Sequence, residues 1–538
     1  MAVKMLTEDS RKYRLRWWTL VVLVTSLIVI VADTTIVDVA IPSLQRNLNA
    51  SASGLQWIVS AYILVFAGLL LTMGSLGDRF GRKRVFQVGL VLFGVTSLAA
   101  AYSQSSGQLI AARAFMGIAA AMIMPSTLSV IIDVFPRHER AKAIAIWAAS
   151  AGLGVPLGMV LGGWLLESFW WGSVFLINIP IVIAVFVAGF ALVPESRNPD
   201  PRKIDVMGAI LSAGSLSALI YAIIQAPERG WLDPIAVAGF AVSALIGVAF
   251  VLYELRIDHP MLDMRLFRNA RLSSGSIAIS LAFLSLVGLV FIMTQYLQFV
   301  RDYSPLEAGL RMLPLALGYT LGAGTSERLV AQLGTRRVVT GGLLLVGFAL
   351  LGFVFLSESS AYWIAAAGMV VMGIGIGSAM APATEAVMGA VPEANAGVGS
   401  ALNDVTRNVG GALGVGILGS VLNSIYSSNV ASAVTELPAG AAAAAKNSIG
   451  AAEQIALGLE GSAAESLRVA ADSAFVDGMS IAMAIAAGIV IAGAATVARF
   501  MPARDPGVYS PRPGVARPVV EDVPIGEVVP VPVLVRID

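Results

Sequence analysis

The chain contains no cysteine, only two histidines and few charges: Asp, Glu, Lys and Arg make up 13% of 538 residues. Each shortage removes a class of function. Without cysteine there is no disulfide framework, no thiolate nucleophile and no sulfur-ligated metal. His138 and His259 both fall in predicted loops, so imidazole chemistry is unavailable inside the apolar segments, and no metal-ligand cluster is spaced there. A formal net charge of +1 offers no basic face to nucleic acid. No Walker-type phosphate loop occurs, which excludes ATP hydrolysis within the chain as a driving force. No Ser-His-Asp or similar constellation supports an enzyme reading either. What replaces the missing polarity is apolar mass, 57% of residues, with a mean hydropathy of +0.82. An ordinary soluble domain carries about 25% charged residues. A chain this apolar must use the lipid bilayer as its solvent.

Runs of about 20 apolar residues predict the membrane segments. They lie near 17–41, 55–76, 84–102, 108–132, 141–165, 173–193, 205–225, 234–254, 272–298, 306–331, 336–357, 361–386, 398–426 and 478–499. This is an all-α integral membrane protein with fourteen predicted spans. The basic N-terminus precedes an apolar run too long for a signal-peptide core, so the first run is read as a retained helix. Charge placement tests the count. With the N-terminus in the cytoplasm, roughly 27 of the Lys and Arg residues fall on the inner side and about five on the outer side. Arg113, Arg311 and Arg407 remain within helices. No inversion interrupts the bias, so both termini are expected in the cytoplasm of a multi-pass cell-membrane protein. Two pieces lie outside the spans. Residues 427–477 read as an outer connection holding short helices, in function a spacer, and 500–538, dense in Pro and Val, as a disordered cytoplasmic tail.

An internal repeat organises these spans. MGIAAAMIMPSTL (116–128) matches MGIGIGSAMAPATE (372–385), and each precedes a Pro-containing loop, VFPRHERAKA (134–143) and AVPEANAGVG (390–399). RFGRKRV (79–85) has a weaker echo in QLGTRRV (332–338). Parallel similarity at this offset predicts two pseudo-symmetric six-helix bundles related by an axis along the membrane normal. The expected division is a cytoplasmic segment 1–16, an N-terminal bundle 17–193, two inserted helices at 205–254, and a C-terminal bundle 272–499.

Polar residues inside the spans carry the functional expectations. Asp33 interrupts IVIVADTTIVDVAIP (28–42), and a carboxylate in hydrocarbon must face a wet cavity, a partner or a proton. Helix rise puts Asp33 about 12 Å and Arg113 about 8 Å from the outer ends of their helices, close enough in depth to pair. Such a site can exchange a proton for a cation; the plainer alternative is a static ion pair. Asp404 and Arg407, one turn apart, form either an intrahelical bridge or a second acid for proton or cation. Gly154, Gly158 and Gly162 recur every four residues, leaving a bare helix face for close backbone approach, which suits two halves that rock against each other or, more plainly, tight static packing. Trp57, Tyr62, Phe66, Trp147, Phe291 and Tyr296 supply either aromatic faces for a lipophilic cation or contacts to lipid. The basic cluster RFGRKR is a topogenic signal or a gate latch.

These motifs resemble the major facilitator superfamily, and within it the fourteen-helix drug:proton antiporters of the QacA, SmvA and EmrB kind. GSLGDRFGRKR (74–84) looks like the superfamily signature between helices two and three, and LIAARAFMGIAAA (109–121) like its helix-four motif. GLGVPLGMVLGGWL (152–165) is similar to the helix-five antiporter motif, with Pro156 and Gly163, but has Met159 where the motif usually has proline. ADTTIVDVAIP (32–42), FWWGSVFLINIP (169–180) and NDVTRNVGGALGVGILGS (403–420) resemble motifs of helices one, six and thirteen. The resemblance implies a secondary transporter with the major facilitator fold. It favours the latch for Gly74, Asp78, Arg79, Gly81, Arg82 and Lys83, and proton or cation coupling for Asp33, Arg113 and Asp404. The expected activity is proton-coupled efflux of lipophilic, cationic compounds such as quaternary ammonium compounds, dyes and antibiotics. Its partners are the substrate, protons and lipid; it needs no cofactor beyond the proton gradient, and works as a monomer. The rival readings are a lipid or antibiotic-precursor exporter of the same fold, and a membrane sensor or scaffold acting through 427–477 or the tail.

Overall fold

The computed structural model describes residues 11–48, 52–197, 205–258, 260–435, 437–459 and 461–502. Lipid offers no hydrogen bonds, so an apolar chain must satisfy every backbone group internally, and helices do this within one segment. No strand occurs among the described residues, and fourteen helices there reach fifteen residues or more. In chain order they are α1 (Arg16–Leu48), α2 (Ala52–Phe80), α3 (Arg82–Ala101), α4 (Ser106–Val134), α5 (Arg137–Ser168), α6 (Asn178–Leu192) and α7 (Val206–Arg229). They continue as α8 (Pro234–Glu254), α9 (Ala270–Gln295), α10 (Leu313–Leu333), α11 (Thr335–Phe353), α12 (Tyr362–Ala390), α13 (Ala396–Asn429) and α14 (Ser462–Phe500). Among the described residues twelve spans are long and apolar enough to cross a membrane; α5 and α10 are not among them. The expected tail lies outside the described residues from 503 onward, as does His259.

The repeat is visible in the punctuation. Gly81 (φ 112°) starts α3 and Gly334 (φ 83°) starts α11, each in a left-handed conformation that glycine adopts without a Cβ penalty. α4 and α12 are both 29 residues long, with an internal proline at Pro125 and Pro382. The apolar core falls into two clusters, one centred on α1–α6 and the other on α9–α14. The start of α13 (Ala396, Val398, Ala401, Leu402) joins the first cluster, so the two halves are packed together at the end carrying the 79–84 loop, the basic end.

α7 and α8 form a hairpin seated on α2. Gly68 leaves room for Ser217, and Trp57 stacks on Tyr221 with centroids 6.2 Å apart. At the far turn, Trp231 Nε1 donates to Ser420 Oγ of α13 at 2.8 Å. Two sequence expectations change here. The tenth span does not begin at 306: Pro305–Arg311 is a separate short helix, and Arg311 lies over the rings of Tyr303 and Tyr362 rather than inside a span. Nor is 427–477 a spacer. α13 and α14 extend into it, and the short helices Ala439–Asn447 and Ile449–Ala456 bury Ala445, Ile449, Ala452 and Ala456 in the second core.

Candidate functional site

Five helices converge on Asp33. Its Oδ2 lies 2.5 Å from Arg113 Nη1 of α4, and its Oδ1 accepts from Asn178 Nδ2 of α6 at 2.8 Å. The same amide donates to Ser97 Oγ of α3 at 3.0 Å. Arg113 Nε donates to the carbonyl of Ile58 on α2 at 3.3 Å, and the guanidinium lies 4.2 Å from the centroid of Tyr62, which stacks on Phe66. Asp33 and Ser97 are 0% exposed and Arg113 1%. A buried charge is tolerated when its partners are this complete. The acid therefore points into the first bundle and away from lipid.

Glycines set that geometry. Gly154 packs on Val31 and Ile28, Gly158 on Ala32 and Thr35, and Gly162 on Ile36, all of α1. The bare face of α5 thus seats the turn of α1 that carries Asp33, within one half. These three glycines therefore pack within one half rather than between two that rock, while the neighbouring face, with Met159 near Gly309 and Gly163 near Leu306, meets the other half. α5 is one continuous helix through Met159; the side chain of Pro156 lies outside the described residues.

A second polar cluster lies where α13 meets α5, α9, α10 and α12. Asp404 is 0% exposed, and both of its carboxyl oxygens lack a hydrogen-bonding partner. Arg407 Nε and Nη2, Asn403 Nδ2 and the Tyr319 hydroxyl are likewise buried without partners. The intrahelical bridge is absent. Arg407 instead lies 4.4 Å from the ring centroid of Trp147 on α5 and 5.0 Å from that of Phe283 on α9. Trp147 is fixed by its Nε1, which donates to Thr127 Oγ1 at 3.0 Å.

At the basic end, Asp78 of α2 reaches across the halves. Its Oδ1 accepts from Gly397 N at 2.9 Å and its Oδ2 from Val398 N at 3.2 Å, the first-turn donors of α13. Asn395, at the start of α13, provides no side-chain cap, so the cap comes from the other half. Arg82 holds the same carboxylate from Nη2 at 2.8 Å and donates to the Glu393 carbonyl at 3.0 Å. Gly74 meets the Gly397 backbone, while Gly81 provides the turn beside Glu195. Arg79 lies over the adjacent Phe80 ring. Lys83 does not cross the halves, because its Nζ donates to Phe190 O of α6 at 2.7 Å. Arg140, not singled out by sequence, does cross: it pairs with Glu393 at 2.8 Å.

Of the six aromatic candidates, only Tyr62 and Phe66 stand at the Asp33 site. Trp57 belongs to the α7 contact, Trp147 is sealed against Arg407, Phe291 lies against Gly419, and Tyr296 bonds the Ser357 carbonyl from its hydroxyl at 2.8 Å. Asn178 was within sight of sequence reasoning as the lone amide of FLINIP; Ser97 carried no signal.

Two helical bundles, buried acids inside them and an ionic contact between their ends define a membrane transporter rather than an enzyme. The chain belongs to the major facilitator superfamily, whose family model matches residues 23–415. It is 36% identical to the multidrug efflux pump LfrA of Mycolicibacterium smegmatis, covering 89% of this chain and 95% of that protein. It is 36% identical to the methyl viologen resistance protein SmvA of Salmonella typhimurium over 88% of this chain and 96% of the relative. The tetracenomycin C resistance and export protein of Streptomyces glaucescens is 33% identical, over 92% and 93%. Among solved structures, the proton:xylose symporter XylE superposes with a TM-score of 0.60 at 14% identity, covering 91% of this chain and 96% of that one, which speaks to fold alone.

Proposed function

We propose that this protein exports lipophilic cations across the cytoplasmic membrane in exchange for protons, with its basic end in the cytoplasm. The observation that carries the reading is the Asp33 carboxylate, enclosed in the first bundle and neutralised there by a guanidinium that a proton or a substrate cation could replace. Tyr62 already holds a cation, Arg113, on its ring face, and would offer the same face to an incoming one when Arg113 withdraws. Asp404 is the second acid, unpaired in this conformation and open to either a proton or a cation. The contacts of Asp78, Arg82 and Arg140 with the start of α13 would close the cytoplasmic side and part when it opens. The name of SmvA supports the substrate class, since methyl viologen is a flat organic dication, and that of LfrA supports drug efflux. Basic residues concentrated at one end support the orientation.

The test is ethidium transport by proteoliposomes under an imposed pH gradient. Asp33→Asn should lower gradient-driven flux by at least about tenfold, the loss of roughly one strong charge interaction, while the protein remains folded and monodisperse. Full flux in that variant would overturn the assignment. A single copy of the chain should suffice, so flux per protein should not change as the protein is diluted among liposomes.

A further inference from the structure

Arg407 can turn to Asp404 or lie on the rings of Trp147 and Phe283, and it is placed on the rings. Asp404 is one helical turn away on the same face, within ordinary reach for an ion pair. Yet both Asp404 oxygens are unpartnered, and the guanidinium lies over Trp147, which belongs to the opposite half. Trp147 is 0% exposed and its indole is pinned by Thr127, so the ring is a fixed platform. The contact therefore exists only when α5 and α13 are closed on each other at this depth.

We propose that Arg407 is a two-position switch that senses the load on Asp404. With a proton or a bound cation on Asp404, the guanidinium rests on Trp147 and the halves seal; with Asp404 bare, the guanidinium turns to it and the seal is lost. This rests on the proton-for-cation reading above and deepens it, because it supplies the exchange rule. The empty carrier cannot pass through the sealed state, whereas the proton-loaded and cation-loaded carriers can. Trp147 is then a positioning residue and not a substrate contact.

Other charges do not supply the switch. Asp404 faces Arg407 and the neighbouring Asn403 amide, and Arg407 also faces Tyr319 of α10. On the helices packed against α13, Asp78, Arg79, Asp133, Arg271 and Glu385 lie within two turns of their helix ends. Arg113 is engaged by Asp33, and Asp477 of α14 is bonded by Asn429 at the far end of α13.

The native chain has no cysteine, so two introduced ones can be spin-labelled cleanly. Val88→Cys on α3 and Gln332→Cys at the end of α10 place outward-facing labels on opposite halves. Distances measured in nanodiscs should shorten in the unaltered background between about pH 8 and about pH 5.5, the range over which a carboxyl buried away from water takes up its proton. Ethidium at the higher pH should produce the same shortening. Asp404→Asn, which cannot ionise, should give the short distance at both pH values. Trp147→Leu should abolish the acid-induced shift, and Trp147→Phe, which keeps a ring face, should restore it. A shift of the original size in Trp147→Leu or in Asp404→Asn overturns the switch, as does identical behaviour of the Leu and Phe variants. Shortening by acid but not by ethidium would support the switch and count against cation export.

Discussion

Asp78 illustrates how much one side chain can decide. Its carboxylate supplies two acceptors to the first turn of α13 from the other half, and hydrogen bonds to a charged group contribute roughly 1.5–3 kcal/mol each when fully formed. Asp78→Asn keeps one acceptor and loses the charge. The ratio of closed to open at the basic end should fall by about tenfold, equivalent to about 1.4 kcal/mol, readable by the same distance measurement across that end. A second prediction concerns Glu139, in the first turn of α5 outside the apolar span. The Arg16 guanidinium, 2.6 Å away, holds its carboxyl below the ordinary value. A depressed folded-state pKa adds stability above the unfolded pKa, and this is lost as pH falls through the lowered value. The thermal stability gap between the native chain and Glu139→Gln should therefore close on acidification. It should stay below about 1 kcal/mol, because the pair is partly solvated. At this scale the sequence revealed the charged centres and hid their neutral partners. Asp33 is conspicuous in an apolar run, whereas Ser97 is one small hydroxyl among many, and only convergence of α1, α3 and α6 gives it a role.

At the scale of elements, the glycine face of α5 has a definite counterpart. A Cβ at Gly158 would strike Thr35 and the backbone of Ala32, the turn that aims Asp33, while one at Gly163 would sit 3.8 Å from Leu306 in ordinary contact. Overpacking a tight helix contact costs about 1–3 kcal/mol. Gly158→Leu should therefore lower thermal stability and abolish gradient-driven flux, and Gly163→Ala should leave both nearly unchanged. Equal losses in the two variants would contradict this packing. The four-residue spacing made the bare face legible. Which helix fills it was not, because the spacing describes a surface and says nothing about its partner.

For the whole molecule, the cap formed by residues 439–456 is part of the second core. The Tyr426 hydroxyl donates to the Ala445 carbonyl at 2.9 Å, and Gly450 abuts the ring of Phe299. Replacing 439–456 by a flexible linker would expose this apolar surface at about 25 cal/mol per Å². The expected outcome is a clearly lowered melting temperature in detergent, contrary to what a mere spacer would give. Sequence missed this because an Ala-rich segment such as AGAAAAAK has no strong periodicity, and its burial depends on a surface made elsewhere by α13 and α14.

The sequence by itself determined the solvent, the helices and their repeat. Apolar length dictates helices in lipid, and the recurrence of Pro125 and Pro382, and of the glycine starts at 81 and 334, follows from chain-local chemistry. It also placed the acids at their depths. The pairing of Arg113 with Asp33 followed from their depths, but only the tertiary structure brought Asn178 and Ser97 to that acid and laid Arg407 on Trp147 without an ion pair to Asp404. The reason is physical. Helix formation depends on neighbours a turn away, whereas the state of a buried charge depends on what other helices bring within a few ångströms of it.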